Sequence, residues 1–108
     1  MASKLSVRWA KGAEADLVQI IGFIANDSPH NARAVLLNIR RRTAELVLFP
    51  NRGRVIPELE AQGVSMYREL IVNPWRIMYR VYDKGVIIIA VIDSHKNIED
   101  VLLSRMVR

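Results

Sequence analysis

The sequence predicts an α+β domain: an N-terminal strand, an antiparallel helical hairpin packed on one face of a largely antiparallel sheet of four or so strands, and a short C-terminal helix. Three observations predict it. Apolar residues recur at helical spacing in two adjacent stretches of the first half. Three consecutive stretches of the second half are alternating or continuously apolar, and the last dozen residues return to helical spacing. The 108 residues suit one domain, and no Gly/Ser-rich, Pro-rich or repeated tract divides them, so residues 1–108 are expected to fold as a single unit.

Leu5, Val7 and Trp9 alternate with Ser6 and Arg8, predicting a half-buried first strand over Lys4 to Ala10. Leu17, Ile20, Ile21 and Ile24 then fall on one face of a helix from about Ala13 to Ala25, ended by Asn26-Asp27. Ser28-Pro29 supplies an N-cap followed by proline at the first helical position, where the missing N–H has no intrahelical partner to lose. The second helix buries Ala32, Val35, Leu36, Ile39, Thr43 and Leu46, turns Arg33, Arg40, Arg41 and Glu45 mainly outward, and stops at Phe49-Pro50. So short a connection makes the two helices an antiparallel hairpin.

"FPNRGRVIPEL" reads as an extended loop with a short edge strand near Val55 and Ile56, and Gln62-Gly63 as a turn. Met66 to Val72 and Trp75 to Tyr82 pair across Asn73-Pro74, and Asp83-Lys84-Gly85 turns the chain into Val86 to Ile92, an apolar run expected to be covered on both faces. Asn97 with Asp100 caps a closing helix that carries Ile98, Val101, Leu102 and Met106 at helical spacing.

Composition narrows the chemistry. The chain has no cysteine, which excludes disulfides, thiolate metal sites and a cysteine nucleophile. His30 and His95 are the only histidines and belong to no cluster with metal-ligand spacing, so neither metal nor cofactor is expected. No glycine-rich phosphate loop is present, and Ser94 beside His95 is adjacency rather than a triad. The opening residues lack a signal-peptide core and no apolar run is long enough for a bilayer, so a cytoplasmic protein without a membrane partner is expected. The net charge is +5, carried by twelve Arg and four Lys against eleven acids; the bias to arginine suits an acidic protein or nucleic acid as partner.

That charge concentrates in "YRELIVNPWRIMYRV". With an even-numbered loop, Arg68 shares a face with Leu70, Val72, Trp75, Ile77 and Tyr79, whereas Arg76 and Arg80 share the other with Tyr67, Glu69, Ile71 and Met78. Glu69 is within reach as a cross-strand salt-bridge partner. Arg52, Arg54, Arg68, Arg76, Arg80, His95 and Lys96 form a cationic set with one candidate general acid or base, which permits metal-free RNA cleavage without requiring it.

Four segments in order, "WAKGAEADL", "LFPNRGR", "YRELIV" with "WRIMYRV", and "IAVIDSHKNIEDVLL", resemble the RelE/ParE superfamily of toxins from bacterial type II toxin-antitoxin modules, across nearly the whole chain. The resemblance implies a compact toxin neutralised by an antitoxin with an acidic, amphipathic tail, for which Arg33, Arg40 and Arg41 are the expected contacts. The superfamily divides into ribosome-dependent mRNA endonucleases (RelE-like) and DNA gyrase inhibitors (ParE-like). As a nuclease the chain would use Arg68, Arg76, His95 and Lys96. However, the alternating position after Arg68 is Leu70, and Asn97 to Arg108 contains neither tyrosine nor histidine. The terminal helix, the two N-terminal helices and the F-P-x-x-G-R loop resemble ParE-like members, which implies gyrase as target and Arg52, Arg54, Arg76, Arg80, Leu102 and Arg105 as contact residues. A non-toxic protein-binding module of the same fold is the third reading.

Overall fold

The structure is a computed structural model and describes residues 6–106. Lys4 and Leu5, expected in the first strand, and residues 107–108, at the end of the sequence, lie outside the described residues. The elements are β1 (Ser6–Trp9), α1 (Lys11–Asp27), α2 (Pro29–Ala44) with a 3-10 turn at Glu45–Val47, β2 (Arg54–Val55), α3 (Pro57–Glu60), β3 (Tyr67–Val72), β4 (Trp75–Tyr82), β5 (Gly85–Asp93) and α4 (Ile98–Met106). The strands form one sheet in the order β1-β5-β4-β3-β2. β1 runs parallel to β5 and the other three pairings are antiparallel.

A single residue makes the helical hairpin. The Ser28 backbone N–H donates to the Ile24 carbonyl at 2.9 Å, closing α1. Its Oγ accepts from the Asn31 N–H at 3.1 Å, opening α2 behind Pro29. α1 therefore includes Asn26 and ends at Asp27, two residues past the expected last helical residue Ala25. Within α2 the buried Thr43 hydroxyl donates to the Ile39 carbonyl at 2.9 Å, so this polar residue enters the core satisfied.

The hairpin covers one face of the sheet: Ala13, Leu17, Ile39 and Leu46 pack on Leu70, Val72, Ile77, Tyr79, Val86, Ile88 and Val91. On the other face Ile56, Leu59, Ile98 and Leu102 pack on Met78, Ala90 and Ile92. The middle of the sheet is thus buried on both faces where α3 and α4 reach it, which suits the apolar run of β5 from Val86 to Ile92. An irregularity divides that run between the faces. Met78 pairs with Ala90 but Tyr79 pairs with Ile88, leaving Ile89 as an extra residue. Val86 and Ile88 face the hairpin before the bulge; beyond it Val91 does so, while Ala90 and Ile92 face α4.

Two expectations are corrected. The segment expected to be extended after Val55 contains the helical turn α3, because Pro57 occupies the first helical position and Leu59, 2% exposed, anchors the turn in the second core. The edge strand is Arg54–Val55, with Ile56 already turning into α3. The β3–β4 pairing has the expected parity, with Arg68 opposite Tyr79, Leu70 opposite Ile77 and Ile71 opposite Arg76.

Candidate functional site

The cations expected to form one surface are divided among distinct environments. Arg76, expected on the surface as a target or nuclease residue, is instead 7% exposed. Its Nε donates to Glu69 Oε1 at 2.6 Å and its Nη2 to Glu69 Oε2 at 3.0 Å. Its Nη1 and Nη2 also donate to the two Glu58 carboxylate oxygens, each at 2.7 Å. Arg54 Nε adds a bond to Glu69 Oε2 at 2.7 Å. Two arginines and two glutamates from β2, α3, β3 and β4 thus make an electrically balanced cluster over a fully buried Glu69 carboxylate. Hydrogen bonding from Arg76, outweighing the opposing effect of burial, holds the Glu58 carboxyl at about 2. Arg54 differs from Arg76 in keeping 58% of its side chain exposed.

A second group holds the loop before β2. Tyr79, fully buried on the central strand, places its hydroxyl under the loop, where it accepts from the Gly53 N–H and donates to the Pro50 carbonyl, both at 2.8 Å. Burial pushes the Tyr79 hydroxyl pKa up, keeping the proton that the second bond needs. Gly53 is required by this close approach, since a Cβ there would overlap the Glu69 carbonyl oxygen and the Tyr79 hydroxyl. Arg68, named as a nuclease cation, donates Nη1 to the Gly53 carbonyl at 2.8 Å and is committed to the same loop. On the outside, Arg52 pairs with Glu45 at 2.8 Å and lies 4.6 Å from the centroid of the Phe49 ring. The loop is therefore a rigid display of Phe49, Arg52 and Arg54.

The third group lies on the outer edge of β5. β1 pairs only with Gly85 to Ile88, so among the described residues the edge beyond has no strand beside it. Asp16 of α1 accepts from the Val91 N–H at 2.9 Å, and Arg105 of α4 donates to the Ile89 carbonyl at 3.1 Å. The two side chains also pair with each other through bonds of 2.6 and 2.8 Å. Arg105 is accordingly a clasp between helices on opposite faces of the sheet. Leu102, expected as a contact residue, is 0% exposed in the second core, where α4 is anchored. A groove of about 700 Å³ follows this edge, lined by residues that include Phe23, Trp75, Lys96 and Val101.

His95 and Lys96 lie in the exposed turn after β5. The His95 backbone N–H and ring Nδ1 both meet Asp93 Oδ1, at 2.8 and 2.7 Å, and the backbone bond first, then the ring, draw the Asp93 carboxyl below its ordinary range. Arg80 is exposed and makes no ion pair among the described residues. Arg33, Arg40 and Arg41 are exposed on α2, a helix with four arginines and no carboxylate. On the same hairpin Val18 and Phe23 of α1 and Leu37 of α2 expose 72%, 75% and 54% of their surface. A cleft of about 420 Å³ opens between β1, α1 and α2, lined by Trp9, Val18 and Arg40 among others. No group of His, Asp or Glu suited to a metal occurs among the described residues, and no helix among them is long and apolar enough to cross a membrane.

Glu58, Asp16 and Tyr79 are the organising residues that sequence reasoning does not single out. Their partners are 18, 89 and 26 to 29 residues away, at separations set by tertiary packing alone. The one local signal was Leu59, whose spacing from Ile56 could have indicated a turn facing the core.

Comparison with known proteins places this geometry. A search of curated proteins found no match. Among solved structures, a chain of the chromosomal ParDE TA system from P. aeruginosa superposes with a TM-score of 0.69 at 23% identity, covering 85% of this chain and 98% of that one, a likeness of fold. Residues 7–98 match the family described as ParE toxin of type II toxin-antitoxin system, parDE. With its helical hairpin, mixed five-stranded sheet and closing helix, the chain belongs to the ParE toxin family.

Proposed function

We propose that this toxin arrests growth by binding DNA gyrase and trapping its cleaved DNA intermediate, and that a cognate antitoxin neutralises it by covering the helical hairpin. The observation that favours binding over RNA cleavage is the state of Arg76. A metal-free nuclease needs cations free to stabilise a phosphorane, but this guanidinium is enclosed by two carboxylates. Arg68 is likewise spent on loop carbonyls, and His95 is an exposed turn residue bonded to Asp93. Membership of the ParE toxin family supports the same reading.

Inhibition by binding needs no bond-making from the toxin. Arg52, Arg54 and Arg80 are the contacts that retain accessible guanidinium groups, while Arg76, Leu102 and Arg105 act by fixing the scaffold that presents them. The antitoxin surface is the outer face of α1 and α2, where Arg33, Arg40 and Arg41 attract an acidic segment and Val18, Phe23 and Leu37 receive its apolar side chains. These activities belong in the cytoplasm, where gyrase works.

Purified toxin titrated into gyrase should abolish supercoiling and accumulate cleaved DNA, with messenger RNA left intact in a translating extract. Unchanged supercoiling and cleavage at toxin concentrations well above gyrase overturns the proposal. Cut messages with gyrase unaffected establish the nuclease reading, and normal growth on expression without antitoxin establishes the binding-module reading.

A further inference from the structure

The sheet face opposite the hairpin is covered along only part of its length. α3 and α4 pack over Met78, Ala90 and Ile92. Toward the β4–β5 turn the same face continues with Ile87 and Tyr82 half-buried and Arg8 and Arg80 exposed. Register places these side chains in order. Arg8 pairs with Ile87, Ile87 with Arg80, and Arg80 with Tyr67, so four adjacent strands give one side chain each to a single row. Their sequence neighbours Val7, Trp9, Tyr79, Val81, Val86 and Ile88 all enter the hairpin-side core, which fixes the row on the opposite face. Tyr82, two residues beyond Arg80, lies on that face about 7 Å along the strand, and the two arginines are about 10 Å apart across two strand spacings.

The row contains no carboxylate. Arg8 and Arg80 form no ion pair among the described residues, in contrast to Arg54, Arg76 and Arg105, each of which is matched to an acid. Two unneutralised guanidinium groups lie beside two half-buried tyrosines, Tyr82 and Tyr67, the latter also packed on the second core. Together they combine the two features by which a single strand is held: cations tracking the phosphates and π-faces for unpaired bases. A duplex conceals its base faces and gives the tyrosines nothing to stack on. An acidic peptide would engage the arginines and leave the rings unused.

We propose that the row Arg8, Ile87, Arg80 and Tyr67, with Tyr82 beside it, binds single-stranded nucleic acid, its phosphates on the arginines and its bases on the tyrosines. The proposal goes beyond the gyrase reading and needs no gyrase contact, so either can fail alone.

The test is fluorescence anisotropy of the full chain, at low salt, with labelled ten-residue oligothymidylate, oligouridylate and a blunt duplex. Both single strands should bind more tightly than the duplex, with a salt dependence of about −1.4 in log K against log salt for two phosphates at about −0.7 each. R8E/R80E should weaken binding by about tenfold or more, whereas K11E/R42E, the same charge change placed on α1 and α2, should leave it within about twofold. Tyr82→Ala should lose about fivefold or more and Tyr82→Phe should keep binding, since stacking needs the ring and not the hydroxyl. Thermal melting of each variant separates loss of binding from loss of fold. Preference for one single strand identifies DNA or RNA as the source of the ligand. Equal weakening by the two charge-reversal variants, a duplex bound as tightly as the single strands, displacement by polyglutamate as effective as by oligonucleotide, or no binding at micromolar protein would each overturn the proposal.

Discussion

Arg76 and Glu69 form a pair whose burial makes it intolerant of half-measures: removing either partner strands a charge away from water, which typically costs about 3–5 kcal/mol. Glu58 is the member that titrates visibly. Its folded pKa of about 2 lies below the ordinary 4.5, so the stabilisation it contributes is complete above pH 4.5 and is lost as the pH falls toward 2. Urea unfolding at stepped pH should show stability declining through that window. Glu58→Gln should flatten that part of the decline, because the amide has no proton to take up. A wild-type profile unaffected by the substitution would mean that Glu58 does not face Arg76 in solution. At this scale the sequence was half legible. Glu69 stands across from the β4 arginines by pairing parity alone, but Glu58 reaches Arg76 only through a helical turn hidden behind two prolines.

At the scale of elements, the clasp between Asp16 and Arg105 ties α4 to α1 around the outer edge of β5. Asp16→Asn keeps the shape and removes the charge, and should destabilise the fold by about 1–3 kcal/mol. Hydrogen exchange should quicken by about tenfold in α4 and at the Val91 amide, with the amides of α2 unchanged; protection in α4 equal to the wild type would show that its apolar contacts suffice. The elements themselves were largely legible, since Ser28-Pro29, Asn97 with Asp100, and the alternation around Asn73-Pro74 are local signals with local causes. The bulge at Ile89 was not legible. In a uniformly apolar run no polar residue marks where the parity changes, and only the two cores distinguish Ile88 and Val91 from Ala90 and Ile92. Leu102 was legible as part of the inner stripe of α4, and its burial in the second core follows that spacing, whereas the pairing of Arg105 with Asp16 depends on a contact 89 residues away in the sequence.

Over the whole molecule, pairing redistributes the net charge of +5. The acids at Glu45, Glu58, Glu69 and Asp16 neutralise Arg52, Arg54, Arg76 and Arg105, while α2, with no acid of its own, keeps four arginines. That asymmetry steers an acidic partner toward the hairpin. The triple variant R33E/R40E/R41E should slow association with the antitoxin by about tenfold or more at low salt and abolish most of the salt dependence, as read by surface plasmon resonance. Association rates equal to wild type would place the antitoxin elsewhere. The seam along β5 bears on another property of the molecule, its solubility. A sheet with open margins is a template on which further chains can add and grow into aggregates. Here β2 is only two residues long, β1 carries an arginine, and the uncovered half of β5 has its backbone groups occupied by an aspartate and an arginine from its own helices. The ion pair that fastens the last helix therefore also acts as a stopper, keeping one copy of the protein from becoming the seed for the next.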